Sequence, residues 1–191
     1  MVATPAYEDS DEAGDSASGS LVKDDSDVGD TDTRLDAAAA QADLHAALDS
    51  SVPGLLYLSE SESVVEVVIV PDGATPFPTA ASIHGRLRDV WNASSGTAAL
   101  ADRYVERVDL SVFFDRLTVP QFYWTEFEQQ QQAGWLAVRA VFEDGLAPAV
   151  VFRLGEHDLG GGRVAGSVEV YVLGATADGD LVGIHVTSIE T

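Results

Sequence analysis

The stretch that decides the fold is Val168-Glu169-Val170-Tyr171-Val172-Leu173-Gly174-Ala175-Thr176-Ala177-Asp178-Gly179-Asp180-Leu181-Val182-Gly183-Ile184-His185-Val186-Thr187-Ser188-Ile189. Two runs rich in β-branched apolar residues flank Asp178-Gly179-Asp180. An Asp-Gly pair tolerates the positive φ of a tight hairpin turn, so the runs read as neighbouring antiparallel strands. Upstream, Ala149–Leu154 is a third run of the same kind. Gly160-Gly161-Gly162 separates it from Val168 and reads as a mobile loop. It does not read as a phosphate cradle, because neither a helix start nor a Lys follows it.

Before residue 149 the periodicity changes. Arg34–Ser50 is Ala-rich with a rough apolar stripe and predicts a helix, stopped by Pro53-Gly54. Leu55–Leu58 is a short apolar run leading into Ser59-Glu60-Ser61-Glu62. Val64–Val70 predicts a buried strand, and Pro71-Asp72-Gly73 turns the chain, with Pro76 and Pro78 keeping it extended. Thr79 is a predicted N-cap for an amphipathic helix carrying Ile83, Leu87, Val90 and Trp91. The segment 94–107 reads as a loop with a helical turn. Asp109 is placed to cap a short helix through Leu117. Thr118 followed by Pro120 predicts the start of a long helix running to about Asp144 and ended by Gly145. Phe127, Trp135, Val138, Val141 and Phe142 supply its inward face, and Gln129–Gln132 reads as a wet one. Helix, strand, helices and then three strands define an α+β class, an antiparallel sheet covered by helices.

Composition sets the boundaries. The chain has 191 residues, 46% of them hydrophobic, which suffices for one domain with a core of its own. Residues 1–33 are Asp, Ser, Gly and Thr with few apolar side chains, and predict a disordered acidic tail. Residues 34–191 form the expected domain. With no cysteine, disulfides, thiolate metal sites and cysteine nucleophiles are excluded. The N-terminus is acidic and lacks an apolar segment, which predicts no signal peptide and a soluble, cytoplasmic protein. No membrane association is expected.

Net charge is −22, from 32 acids against 10 bases, of which only Lys23 is a lysine. Such a surface repels phosphate backbones and argues against direct nucleic-acid binding. Adaptation to a salt-loaded cytoplasm accounts for most of it, and mimicry of a polyanion is compatible with the same charge. A salt-adapted acidic module that binds some basic protein is one reading of these features.

Catalytic motifs are absent. His45, His84, His157 and His185 fall in no metal-spaced cluster, and there is no G-x-S-x-G elbow. Glu60 and Glu62, two apart on an extended chain, face the same way and with His157 form the one hydrolase constellation to consider. In so acidic a chain a carboxylate pair carries little information.

Three segments, read together, say more: Gly54-Leu55-Leu56-Tyr57-Leu58-Ser59-Glu60-Ser61-Glu62, then Val108-Asp109-Leu110-Ser111-Val112-Phe113-Phe114-Asp115-Arg116-Leu117-Thr118-Val119-Pro120-Gln121, then Val151–Glu156, Val168–Gly174, Asp180–Ile184 and the final Ile189-Glu190-Thr191. In this order, from about Gly54 to the chain end, they resemble the nuclease A inhibitor family. The resemblance implies an α/β/α sandwich with a mostly antiparallel sheet. It implies a non-enzymatic protein without a cofactor of its own, monomeric when free. Its partner would be a sugar-non-specific nuclease of DNA and RNA, bound one-to-one. That nuclease uses a histidine base and a single Mg²⁺. By resemblance, Thr191 would reach that Mg²⁺ through its terminal carboxylate and Glu60 would engage the nuclease site. Gln121 and an aromatic at the start of the long helix would add contacts. The family has Trp then Tyr two and three positions after the Gln. Here those positions hold Tyr123 and Trp124, behind Phe122, and the contact is open between Tyr123 and Trp124. The acidic tail and the longer loop Glu156–Ser167 depart from the family pattern. Residues 71–78 and 92–107 align poorly with it.

Overall fold

A computed structural model describes the backbone of residues 28–71, 77–94, 100–177 and 179–191, with side chains except those of 28–38, 89, 92–94 and 101. The acidic tail up to residue 27, the turn at Asp72-Gly73, Pro76 and Asp178 of the hairpin lie outside the described residues. The elements are α1 (Val28–Ser51), β1 (Leu56–Leu58), β2 (Glu62–Val64), β3 (Glu66–Val70) and α2 (Ile83–Ser94). A 3₁₀ turn (Leu100–Asp102) follows, then β4 (Tyr104–Val108), α3 (Leu110–Thr118), α4 (Glu126–Gly145), β5 (Ala149–Gly155), β6 (His157–Gly160), β7 (Arg163–Ala175) and β8 (Leu181–Glu190).

The main sheet runs β3-β8-β7-β5-β4, every neighbouring pair antiparallel. Its centre is the predicted hairpin: β7 and β8 pair from Gly166↔Glu190 to Ala175↔Leu181. Because successive strand residues face opposite sides, each central strand feeds two cores. Val151, Val168, Val170, Val172, Val182, Ile184 and Val186 pack with Leu48 of α1, Phe113 and Phe114 of α3, and Trp135, Val138 and Phe142 of α4. Phe152, Leu154, Tyr171, Leu173 and Leu181 pack with Ile83, Leu87 and Trp91 of α2. The result is helix, sheet, helix in three layers, the α+β sandwich expected. Strands approach closely at its centre: a methyl group on Gly183 would lie 1.8 Å from the Val172 carbonyl oxygen.

Several expectations are corrected. Val64–Val70 is not one buried strand. It breaks at Val65, which turns into the core, and β3 is a sheet edge with Ile69 exposed. The segment 94–107 contains, besides its 3₁₀ turn, the opposite edge strand β4. Helix α1 begins six residues before Arg34. Gly160-Gly161-Gly162 forms the tight turn of the β6–β7 hairpin, all three glycines at positive φ (82°, 64° and 78°). The long helix starts at Glu126, not behind Pro120. Thr125 and Glu128 close a capping box there, each side chain bonded to the other's backbone N–H. Phe127 therefore falls in the first turn and is exposed. Asp109 precedes α3 as expected, without a side-chain cap bond.

Candidate functional site

The site is assembled from three pieces: the β1–β2 turn, the chain end, and the segment 119–125 between α3 and α4. Their common floor is aromatic. Tyr57 of β1 stacks on Phe113 of α3 at 5.9 Å, and Trp135 of α4 meets both edge-on at 6.2 and 6.1 Å. The Trp135 indole N–H donates to the Leu56 carbonyl at 3.2 Å, so the β1–β2 ribbon is fastened to α4 as well as packed on it. Burial pushes the Tyr57 hydroxyl above its ordinary pKa, against the pull of the Arg116 and Arg153 guanidiniums.

The ribbon reverses at Ser59–Ser61. The Ser59 N–H and hydroxyl both donate to the Ser61 carbonyl, at 2.9 and 3.1 Å, and this tight turn projects Glu60 outward. The Thr187 N–H donates to the Ser63 hydroxyl at 3.0 Å, which binds the ribbon to β8. Strand β8 ends at Glu190, whose carboxylate pairs with Arg153 and accepts the Ser188 hydroxyl at 2.9 Å. Arg153 also holds Glu106 at 2.6 Å. With the penultimate residue so anchored, Thr191 emerges beside Glu60. Its hydroxyl donates to Glu60 Oε1 at 2.7 Å and its N–H to the same oxygen at 3.4 Å, both residues exposed. The sequence-predicted acid and the chain terminus are thus brought together. Among the described residues, Glu60 Oε2 has no hydrogen-bond partner.

The second wall is the segment 119–125. A turn closed by the Trp124 N–H on the Gln121 carbonyl at 3.1 Å places Gln121 at its base and the aromatics on its crest. Phe122 is fully exposed, Tyr123 is 64% exposed, and Trp124 is half-buried. Gln121, Tyr123 and Trp124, with Leu58 and Arg116, line a cleft of about 330 Å³ between this segment and β1. Exposure thus separates the two aromatics the sequence left open: Tyr123 is presented to solvent, and Trp124 forms cleft wall.

The glutamine run is a wet face only in part: Gln129 and Gln130 are exposed, Gln131 and Gln132 half-buried, and three of the four bond to neighbouring backbone. Gln132 donates to the Thr118 carbonyl at 2.7 Å and Gln129 to the Trp124 carbonyl at 3.4 Å, bracing one wall. Gln131 accepts the Leu56 N–H at 2.8 Å and donates to the Gly54 carbonyl at 3.4 Å, bracing the other. The sequence carries the glutamines but not their partners, which come from 5 to 77 residues away. Phe122 and the three glutamines are the site residues that sequence reasoning missed.

A further polar cluster lies on the α2 side of the sheet. His185 sits between Glu169 at 2.7 Å and Glu66 at 3.2 Å, stacked on Tyr171. Burial lowers the pKa of His185, but the hydrogen bonds and charges of Glu169 and Glu66 outweigh it and the net shift is upward. Burial raises that of Glu169, and His185, Thr187 and Arg103 outweigh it, so Glu169 ends below its ordinary value. Both imidazole nitrogens are engaged by carboxylates, a structural arrangement. Glu60, Glu62 and His157 form no metal-holding group, and none of three or more such side chains occurs among the described residues. Nor is any helix among them long and apolar enough to cross a membrane.

Fold and site define an α/β/α domain whose candidate site is an open face of polar and aromatic groups with a chain end set into it. The model of the nuclease A inhibitor-like protein family matches residues 42–191, and the chain belongs to that family. A comparison with curated proteins returns no match.

Proposed function

We propose that the protein inhibits a sugar-non-specific, Mg²⁺-dependent endonuclease by occupying its active site with the Glu60–Thr191 pair. The observation that carries this reading is the exposed chain end held against Glu60 at 2.7 Å. A nuclease site must hold a phosphodiester and stabilise added negative charge, so it is cationic and metal-bearing. The terminal carboxylate of Thr191 and its hydroxyl are hard oxygen donors, which suit Mg²⁺. A chain end is slim enough to enter where a phosphate goes. Glu60, its Oε1 occupied by Thr191, keeps Oε2 for an arginine of the nuclease, a charge-assisted pair. Gln121, Tyr123 and the cleft beside Trp124 extend the contact outside the metal site. In this reading the metal belongs to the nuclease.

The test is digestion of plasmid DNA by a sugar-non-specific endonuclease in Mg²⁺ with wild-type protein, a variant lacking Thr191, and Glu60→Ala. Binding stoichiometry would come from calorimetry and folding from thermal melts. We expect one-to-one inhibition by wild type, loss on removal of Thr191, and weakening by Glu60→Ala, all with unchanged melts. Equal inhibition by all three proteins would discard the proposed contacts.

A further inference from the structure

We infer that Phe122, together with its neighbour Tyr123, is the principal hydrophobic anchor of the nuclease-binding face, set to stack on a cationic side chain of the partner. The inference rests on the inhibitor reading above and adds a residue the family resemblance does not assign. Phe122 is 101% exposed, the most exposed large apolar side chain of the described residues. Among the described residues its one ring contact is Tyr123, edge-on at 5.3 Å with planes at 83°. Full exposure of a phenyl ring forgoes about 2 kcal/mol or more of burial free energy, which binding to a partner can recover.

The backbone that carries the ring is also held in place, unlike that of a frayed loop. The Trp124-to-Gln121 turn, the Gln121 side chain on the Val119 carbonyl at 3.0 Å, and the braces from Gln129 and Gln132 all fix its backbone. Aromatic side chains with few rotatable bonds on a rigid segment are the type that carry binding energy at small entropic cost. Continuity selects the occupant. Phe122 sits between Gln121 and Tyr123, and the cleft behind them shares Leu58 with the strand that leads to Glu60. A partner seated on the Glu60–Thr191 pair therefore meets this crest. Charge selects it again: at −22 the molecule repels a second copy of itself, an anionic membrane and nucleic acid alike, and attracts a basic protein surface. On such a surface the π face of Phe122 finds arginine and lysine side chains, a cation–π geometry.

The test measures the dissociation constant for a Mg²⁺-dependent sugar-non-specific endonuclease, made inactive by replacing its histidine base. Wild type, Phe122→Ala, Phe122→Leu, Phe122→Trp and the protein lacking Thr191 are compared, with sedimentation of each protein alone. We expect Phe122→Ala to weaken binding by more than about tenfold, Phe122→Leu to recover only part, and Phe122→Trp to match or exceed wild type. Phe122→Ala within about twofold of wild type, while removal of Thr191 still weakens binding, overturns this inference and leaves the inhibitor reading standing. Phe122→Leu equal to wild type overturns the cation–π assignment. Wild type that neither binds nor inhibits the nuclease overturns both readings. A concentration-dependent dimer that Phe122→Ala dissolves overturns the inference in favour of a self-interface.

Discussion

Glu60 and Thr191 lie 131 residues apart in the chain, and one carboxylate oxygen of Glu60 accepts both the hydroxyl and the N–H of Thr191. Thr191 is thereby given a defined position. Three further ties converge on it: Glu190 on Arg153, Ser188 on Glu190, and Thr187 on Ser63.

The first prediction separates the position of Thr191 from its chemistry. Thr191→Val removes the 2.7 Å hydroxyl bond and keeps the terminal carboxylate. An exposed neutral-to-charged hydrogen bond contributes on the order of 1 kcal/mol, so inhibition should weaken by about threefold to tenfold. Removing the whole residue should cost far more. Titration of nuclease activity against each variant checks this. Equal losses for the two would mean that the hydroxyl, not the carboxylate, does the blocking.

A second prediction concerns the braces. Gln132→Ala deletes the 2.7 Å bond to Thr118, and Gln131→Ala deletes those to Leu56 and Gly54. Each should lower stability by only about 0.5–1.5 kcal/mol. Both should loosen the cleft walls, so affinity for the nuclease should fall through faster dissociation. Amide hydrogen exchange across 119–124 should quicken in Gln132→Ala and stay at wild-type rates in Gln131→Ala. Unaltered exchange in both variants would show that the walls hold themselves.

The way these residues hide in the sequence follows a physical pattern. The β7–β8 hairpin is legible because strands buried on both faces read as near-continuous apolar runs, and the buried face of α4 because burial on one side imposes a period, as at Trp135, Val138 and Phe142. Strand β4, Tyr104-Val-Glu-Arg-Val, is not, because an edge strand paired on one side needs no continuous apolar run. The start of α4 is not legible in the same way, because Pro120 is itself a good first helical residue, whereas the structure starts the helix at the Thr125-x-x-Glu128 box. As partner contacts, Glu60 and Thr191 follow from family resemblance alone. Nothing in their local sequence encodes that they meet, which depends on the register of β8 against the β1–β2 ribbon. Gln131 and Gln132 read as solvated because their partners are backbone groups supplied by other segments.

The third prediction is a pH profile. The pKa of His185 is raised from 6.5, so its pairing stabilises fully below that value and is lost as pH rises through the folded-state pKa. The pKa of Glu169 is lowered from 4.5, so its contribution is present above that value and is lost as pH falls through the folded-state pKa. The pair therefore contributes most between 4.5 and 6.5. His185→Asn should cost about 1–3 kcal/mol at about pH 5.5 and less at about pH 9, by denaturant unfolding. A cost independent of pH would mean that the imidazole acts there through packing on Tyr171 rather than through charge.

The last prediction uses salt to separate the acidic surface from the short-range contacts. A net charge of −22 raises the encounter rate with a cationic partner when salt is low. Going from about 0.05 M to about 1 M NaCl shrinks the Debye length from over 10 Å to about 3 Å, and the association rate should fall at least about tenfold. On the proposed contacts, dissociation is set by Thr191, Glu60 and the aromatic crest, desolvated once docked, and should change by less than about threefold. The free protein should move the other way. Screening relieves repulsion among its own carboxylates, so its melting temperature should rise over the same salt range. Stopped-flow binding and thermal melts at matched salt read both trends. A salt effect confined to dissociation would place the charge in the docked contacts rather than in the approach. A melting temperature that falls with salt would mean that ion pairs such as those at Arg153 and Arg139 outweigh the repulsion.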